Sequence, residues 1–166
     1  MKNITFKSIG IIRTPYGETK GTPIQASGSG GREGTVELNP QFADGLRDLD
    51  GFSHIILLYS FDRARQPAKL LQKPFLEDEY HGVFAIRSPS RPNPIGISIV
   101  KLLEINGYQL KVADVDILDQ TPLLDIKPYI PHFDERKNAR FGWAEKHIHK
   151  TKDTTDDGRF DENINE

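Results

Sequence analysis

The chain has 166 residues, a formal net charge of −2 and no cysteine. A chain of this length fits one domain and can bury a core without covalent cross-links. The absence of cysteine excludes disulfides, thiolate metal ligands and a cysteine nucleophile. The longest apolar runs, such as residues 55–59, are too short to span a bilayer, and the first residues lack the apolar stretch of a signal peptide. We therefore expect a cytoplasmic protein with no membrane partner.

The charge is unevenly distributed along the chain. Residues 150–166 carry three basic and six acidic side chains, so residues 1–149 have a formal net charge of +1. This body lacks the strongly basic balance of proteins that hold nucleic acid mainly through phosphates, so nucleic-acid binding would depend on local patches. The acidic segment has little to bury. We expect a β-barrel domain at 1–149 and a flexible acidic C-terminal tail at 150–166.

The first half of the chain is predicted to contain three strands and one short helix. Residues 4–13 alternate loosely and indicate a strand, whereas the glycine-rich residues 17–34 cannot be regular structure. Residues 35–38 indicate a second strand. Asn39-Pro40 then supplies an N-cap and a first-turn proline for a short helix. Residues 53–61 are almost continuously apolar, which is typical of a strand covered on both faces.

The second half is predicted to be mostly strands. Residues 82–86 indicate a short strand, and residues 95–105 and 108–118 flank Asn106-Gly107, a strong hairpin signal. We interpret Thr-Pro at 121–122 as a turn. Because few segments keep a helical period, the sequence predicts a mainly β protein, a small non-Rossmann barrel with a few short helices.

A stiff cationic loop separates two of these predicted strands. The segment EYHGVFAIRSPSRPNPIGISIV, residues 79–100, holds three prolines and two arginines between Arg87 and Pro94. The prolines fix their own φ angles and keep the residues before them extended, so the loop is ordered before any ligand arrives. We interpret it as a ligand-binding loop that presents guanidinium groups and unbonded carbonyls. The alternative is a rigid connector with solvated arginines.

Four carboxylates lie close together at positions 114, 116, 119 and 125. Histidine or glutamate at metal-ligand spacing is missing around them, so we predict no metal site. Asp119, beside a turn, could instead bind ribose hydroxyls or a ligand ammonium group. The glycines at 28, 30 and 31 do not form a P-loop or a Rossmann fingerprint.

The segments GVFAIRSPSRPNPIGISIVKL, LDQTPLLDIKPYIP, GFSHIILLYSF and IGIIRTPY resemble the TsaA-like family, whose best-known members are the TrmO tRNA methyltransferases. The resemblance covers residues 4–131 in order. It implies a small β-barrel that binds S-adenosyl-L-methionine, acts as a homodimer and takes tRNA as its partner. The implied reaction is N6-methylation of the threonylcarbamoyl-modified adenosine at position 37, next to the anticodon.

The resemblance also implies the cofactor site, position by position. The residues at cofactor positions are Gln25, Ala26, Ser27, Gly28, Asp62, Arg63, Arg87, Ile97, Leu118, Asp119, Gln120 and Thr121. Two of them depart from the family pattern, since Gln120 stands where glycine is common and Asp62 stands where histidine is common. We also expect the chain to hold tRNA without the C-terminal extension of the longer bacterial members.

Methyl transfer to an amine needs alignment and an acceptor for the amine proton, but no covalent intermediate. By analogy with other N6-adenine methyltransferases we nominate Asn93 or Asp119 as the catalytic acceptor, and we expect Arg91 to bind the tRNA substrate. Two other functions remain open: a module that binds or senses S-adenosylmethionine, and a methyltransferase for a small molecule. We attribute the expected homodimer to apolar surface at residues 55–59 and 122–131.

Overall fold

The structure, a computed structural model, describes residues 2–160. Its strands are β1 (Gly10–Arg13), β2 (Glu33–Leu38), β3 (His54–Ser60), β4 (Leu71–Gln72), β5 (His81–Gly82), β6 (Ile95–Asn106), β7 (Gln109–Ala113) and β8 (Thr121–Pro128). The described helices are α1 (Pro131–Asp134) and short 3-10 helices at Ala26–Gly28, Pro40–Leu46, Leu49–Gly51, Val83–Ala85, Gly142–Lys146 and Ile148–Lys150. Six strands close an antiparallel barrel in the order β1-β2-β7-β6-β3-β8, while β4 and β5 form a separate two-stranded sheet. The predicted mainly β barrel is confirmed.

The predicted hairpin at Asn106-Gly107 is present between β6 and β7. Asn106 pairs with Gln109 across the turn, and Gly107 has a φ of +60°, a conformation that glycine adopts at little cost. The second strand is shorter than predicted and ends at Ala113. Asp114 has a φ of +66°, which turns the chain out of the ladder.

Three other predictions about strands were wrong. Strand β1 begins at Gly10, which pairs with Leu38 at the end of β2, and not at residue 4 as predicted. Residues 83–85 form a 3-10 helix after the short strand β5. Thr121 is not in a turn but is the first residue of β8 and pairs with Ile12.

The short helix predicted after Asn39 is present as a 3-10 helix. The Asn39 side chain accepts a hydrogen bond from the backbone N–H of Gln41 at 3.3 Å, and Pro40 occupies the first turn. Among residues 2–160, no helix is long and apolar enough to cross a bilayer.

The barrel interior is filled by alternate residues of its strands. In β3 the side chains of Ile55, Leu57 and Tyr59 are buried and those between them are only partly buried, so the prediction of a strand covered on both faces was wrong. The three buried side chains pack in one core with residues of the other strands, such as Val100 and Leu110. The core therefore occupies the lumen of the barrel, and polar side chains inside it need partners.

Residues 150–160 pack against the rest of the molecule. Thr155 forms a bridge with Pro23, and the backbone N–H of Arg65 donates to the carbonyl of Phe160 at 3.1 Å. Phe160 is 7% exposed and lies edge-on against Phe75. These contacts correct the expectation of a flexible tail for residues 150–160. The predicted tail beyond them, residues 161–166, lies outside the described residues.

Candidate functional site

A cavity of about 400 Å³ opens at the end of the barrel where β3 ends and β6 begins. Ser60 pairs with Ile95 at this end, and the adjoining residues of both strands line the cavity. Gly96 allows the close packing here, because a Cβ at this position would lie 2.1 Å from the Tyr59 ring. The proline-rich loop after Arg87, the turn before β8, residues 22–25 and the C-terminal Phe160 supply further parts of the wall.

A partly buried carboxylate, Asp116, lies in the wall of this cavity. Ser98 on β6 donates a hydrogen bond to Asp116 Oδ1 at 2.6 Å, and the Tyr59 hydroxyl lies 3.0 Å from the Ser98 hydroxyl. Burial raises the pKa of Asp116 to about 6, an effect opposed by hydrogen bonds from Ser98 and from the backbone of Ala26 and by the charge of Arg87. Burial and the nearby Asp116 charge also raise the pKa of Tyr59. Asp116 can therefore change its charge near neutral pH, within reach of a ligand.

Arg87 supplies positive charge to the same cavity. Its Nη1 donates to the side-chain oxygen of Gln25 at 3.4 Å, and both residues line the wall. Gln25 precedes the 3-10 helix Ala26–Gly28, which packs against the C-terminal segment. Gly28 permits this contact, since a Cβ there would lie 2.9 Å from the carbonyl oxygen of Thr151.

Side chains hold the proline-rich loop through hydrogen bonds to its backbone carbonyls, which the sequence does not predict. Arg91 Nη1 donates to the carbonyls of Ile86 at 3.1 Å and Ser88 at 3.5 Å. Gln72 Nε2 donates to the carbonyl of Ser90 at 2.7 Å. The loop is rigid as predicted, but these carbonyls are bonded within the protein, so the expectation that they are presented to a ligand was wrong.

The turn before β8 is held by hydrogen bonds from two other segments of the chain, one after β1 and one after β3. Asp119 Oδ1 accepts the backbone N–H of Thr14 at 3.1 Å, and the Asp119 carbonyl accepts a hydrogen bond from Arg63. Arg63 Nε lies 4.0 Å from Asp62 Oδ1. Gln120 has a φ of +66°, so the position where the family commonly has glycine requires a left-handed conformation in this chain too.

The structure brings most of the predicted site residues together at this cavity. Those in its wall are Gln25, Asp62, Arg63, Arg87, Arg91, Ile97, Leu118 and Thr121. The others are not in its wall: Ala26 and Gly28 support it, Ser27 lines an adjoining cavity, and Asp119 and Gln120 form the turn. Asn93, a nominated catalytic residue, is exposed on the loop, and only its carbonyl makes a described hydrogen bond, from the N–H of Ile95 at 2.8 Å.

Sequence reasoning missed several residues of the site. Asp116 was predicted only as one of four clustered carboxylates, Tyr59 was placed on the dimer surface, and Ser98 and Phe160 were not predicted. No sequence signal distinguishes Asp116, because Asp114 and Asp116 alternate with Val115 and Ile117 as in a strand with one exposed face.

Among residues 2–160, no group of three or more acidic, histidine or cysteine side chains is arranged to hold a metal ion. The four clustered carboxylates are dispersed among other partners. Asp114 accepts from the Ser29 hydroxyl at 3.2 Å, and Asp125 pairs with Lys127 at 2.6 Å.

Comparison with known proteins gives a family match over most of the chain. The sequence model of the tRNA-methyltransferase O N-terminal domain matches residues 11–135. A probable S-adenosyl-L-methionine-binding protein of Pyrococcus abyssi is 57% identical over 95% of this chain and 85% of that protein. A tRNA (adenine(37)-N6)-methyltransferase of Escherichia coli is 35% identical over 87% of this chain and 66% of that enzyme.

Solved structures agree with the sequence match. The crystal structure of TrmO from Pseudomonas aeruginosa has a TM-score of 0.72 and 35% sequence identity, covering 87% of this chain and 63% of that one. The barrel described above is therefore similar to the barrel of the P. aeruginosa structure. The chain spans about two thirds of that structure and of the E. coli enzyme.

Proposed function

The chain belongs to the tRNA-methyltransferase O N-terminal domain family, and on this premise we propose that it transfers the methyl group of S-adenosylmethionine to N6 of adenine 37 in tRNA. The E. coli relative bears the name of this activity. The substrate within tRNA is the threonylcarbamoyl-modified adenosine, as the resemblance implies.

The observation that carries the proposal is the pairing of opposite charges across one cavity. The methionine portion of the cofactor has a carboxylate, an ammonium and a sulfonium group. Arg87 offers a guanidinium for the carboxylate, and Asp116 offers a carboxylate for a cationic group. A cavity of about 400 Å³ is in the usual range for a ligand of this size.

This chain's residues would position the reactants and take no covalent part in the reaction. When bound, S-adenosylmethionine supplies an activated methyl group. The rigid loop and the turn at Asp119 would fix the amine against it, and alignment of this kind can contribute several kcal/mol. Asp119 and Asn93 stay proposed as acceptors of the amine proton. Asp119 follows the wall residue Leu118, and Asn93 lies two residues after the wall residue Arg91 on the proline-rich loop.

Arg87→Ala tests the cofactor site. We expect weaker S-adenosylmethionine binding by about 1.5 to 3 kcal/mol in calorimetry, the range for hydrogen bonds to charged groups. Arg87→Lys should not restore affinity, since lysine cannot make two parallel bonds. Arg47→Ala, at an exposed arginine outside the cavity wall, is the matched control. Unchanged affinity in Arg87→Ala would remove this residue from the site.

A module that only binds S-adenosylmethionine is the second candidate, favoured by the name of the P. abyssi relative. Incubation with methyl-labelled cofactor and tRNA separates the two functions, because only the methyltransferase deposits label in RNA. Comparing tRNA with and without the threonylcarbamoyl group tests the finer substrate. Asp119→Asn and Asn93→Ala should lower methylation if either residue accepts the proton, and Asn93→Ala should keep cofactor binding.

We further propose that the protein is a homodimer, but not through the inward side chains of residues 55–59, one of the two surfaces expected. Ile55, Leu57 and Tyr59 are buried in the barrel and cannot meet a partner. The outward side chains of β6, by contrast, include Ile95, 42% exposed, and Ile97, 51% exposed. An apolar row on a barrel exterior is suited to an isologous interface.

A further inference from the structure

A basic segment leads away from the mouth of the candidate cofactor cavity. Residues 63–73, with the sequence RARQPAKLLQK, contain four basic and no acidic side chains. The segment connects β3 to β4, and its first residue, Arg63, lines the cavity. It is a local cationic patch on a body whose total charge is close to neutral.

This segment forms much of a second cavity, of about 300 Å³. Arg65, Lys69 and Lys73 line it, together with Arg159. In the wall of the second cavity the Arg159 guanidinium is paired with Asp157 at 2.6 Å, and the segment adds three further cationic side chains. Asp78 is the acidic residue in its wall.

An aromatic side chain accompanies these cations. Tyr80 is 64% exposed in the wall of the second cavity, and Lys73 Nζ lies 5.1 Å from the centre of its ring. Cations beside an exposed aromatic ring are the usual means of holding single-stranded nucleic acid, since phosphates pair with the cations and bases stack on the ring.

The wall also contains a buried acceptor without a partner. Gln72 is 6% exposed, and its Nε2 donates to the carbonyls of Lys69 at 2.6 Å and Ser90 at 2.7 Å. This fixes the orientation of the amide and leaves Gln72 Oε1 buried with no hydrogen-bond partner among the described residues. An acceptor of this kind favours a ligand with donors. A ribose 2′-hydroxyl or a base amine supplies a donor, whereas an inorganic anion satisfies only the cations.

From these contacts we propose that the second cavity binds a ribonucleotide next to the target adenosine in the same RNA strand. The two cavities share Phe160 in their walls, so an adenine presented to the cofactor at the mouth of the first cavity has its neighbour in the strand close to the second cavity. Enzymes that modify single bases commonly read a flanking nucleotide in this way. The inference rests on the proposed function, and it assigns RNA binding to residues 63–73 and Tyr80.

Salt dependence of RNA binding tests the cationic part. The double variant Lys69→Ala, Lys73→Ala should lower the slope of log affinity against log salt for an anticodon stem-loop by about one per lysine removed. The matched control is the double variant Lys101→Ala, Lys127→Ala. Both lysines lie opposite the first half of β3 in the strand register, at the other end of the barrel from the cavity. S-adenosylmethionine affinity should be unchanged in both. A slope equal to that of the control would overturn the proposal.

The aromatic contact has its own test. Tyr80→Ala should weaken stem-loop binding at least about fivefold, the lower range for loss of one stacked base, and Tyr80→Phe should restore it. Equal binding by the alanine variant and the wild type would refute the stacking role. A wild-type protein that methylates RNA while all these variants match their controls leaves the proposed function intact and removes the second cavity from it. If RNA binding depends on Lys69 and Tyr80 but the protein does not methylate RNA, the second cavity keeps its role and the proposed function is overturned. Wild-type protein that binds no RNA overturns both proposals.

Discussion

Asp116 is the residue whose chemistry depends most on its surroundings. Its carboxylate is partly buried beside Ser98 and Tyr59, and its pKa of about 6 lies well above the ordinary value of 3.8. Between pH 3.8 and about pH 6, Asp116 is therefore mostly protonated in the folded protein and mostly ionised in the unfolded chain. At neutral pH the group carries a charge that costs stability but attracts a cationic ligand.

The first prediction follows from the sign of this shift. Because the pKa is raised on folding, Asp116 adds stability that is fully present below pH 3.8 and is lost as pH rises through about 6. Asp116→Asn should therefore raise the free energy of unfolding by about 2 kcal/mol at pH 7.5, and this gain should shrink towards pH 4. Thermal melts across this range measure it. Cofactor affinity should fall in the variant at pH 7.5, and in the wild type as pH drops below 6.

Gln120 is a second residue in an unusual environment, because its φ of +66° is costly for any side chain with a Cβ. Gln120→Gly should leave the free energy of unfolding unchanged or raise it by up to about 1 kcal/mol, since relief of strain is partly offset by entropy of the unfolded chain. Gln109→Gly, in strand β7, is the matched control and should lose about 0.5 to 1 kcal/mol. Equal losses for the two variants in urea unfolding would contradict this account.

The C-terminal segment, residues 150–160, is the element whose structure differs most from the structure predicted from its sequence. Phe160 is 7% exposed, contacts Phe75 and lines both the first and the second cavity. Phe160→Ala should lower the free energy of unfolding by about 3 kcal/mol, as for other buried aromatic side chains, and should weaken cofactor binding through the altered wall.

The exposed Phe133 offers a control for this prediction, since it is 64% exposed on α1. Phe133→Ala should change stability by less than about 0.5 kcal/mol. If denaturant titration gives Phe160→Ala an effect as small as this, the segment does not pack as described.

For the whole molecule, the outer face of β6 leads to a prediction about assembly. Ile99 is 42% exposed on the same face as Ile95 and Ile97, outside the cavity wall. Ile99→Asp should convert a dimer to a monomer while the barrel stays folded, because a carboxylate cannot be buried unpaired in an apolar interface. Light scattering gives the mass. Ile4→Asp, at a residue 74% exposed elsewhere on the surface, should leave the dimer intact.

The sequence by itself determined the features that depend on neighbours along the chain. Asn106-Gly107 predicts its turn because glycine accepts a positive φ. The prolines predict a rigid loop because each fixes its own φ. The family resemblance predicts seven residues of the cavity wall, because a binding motif keeps its residue order.

Only the tertiary structure decided the rest, because burial and electrostatics depend on residues far apart in the chain. The partners Tyr59 and Ser98 are 39 positions apart and meet through the register of β3 against β6. Phe160 is buried because Arg65 and Phe75 contact it, whereas its own neighbours are mostly polar. Asp116 acquires its raised pKa from these surroundings, since the same carboxylate in an isolated peptide would titrate normally.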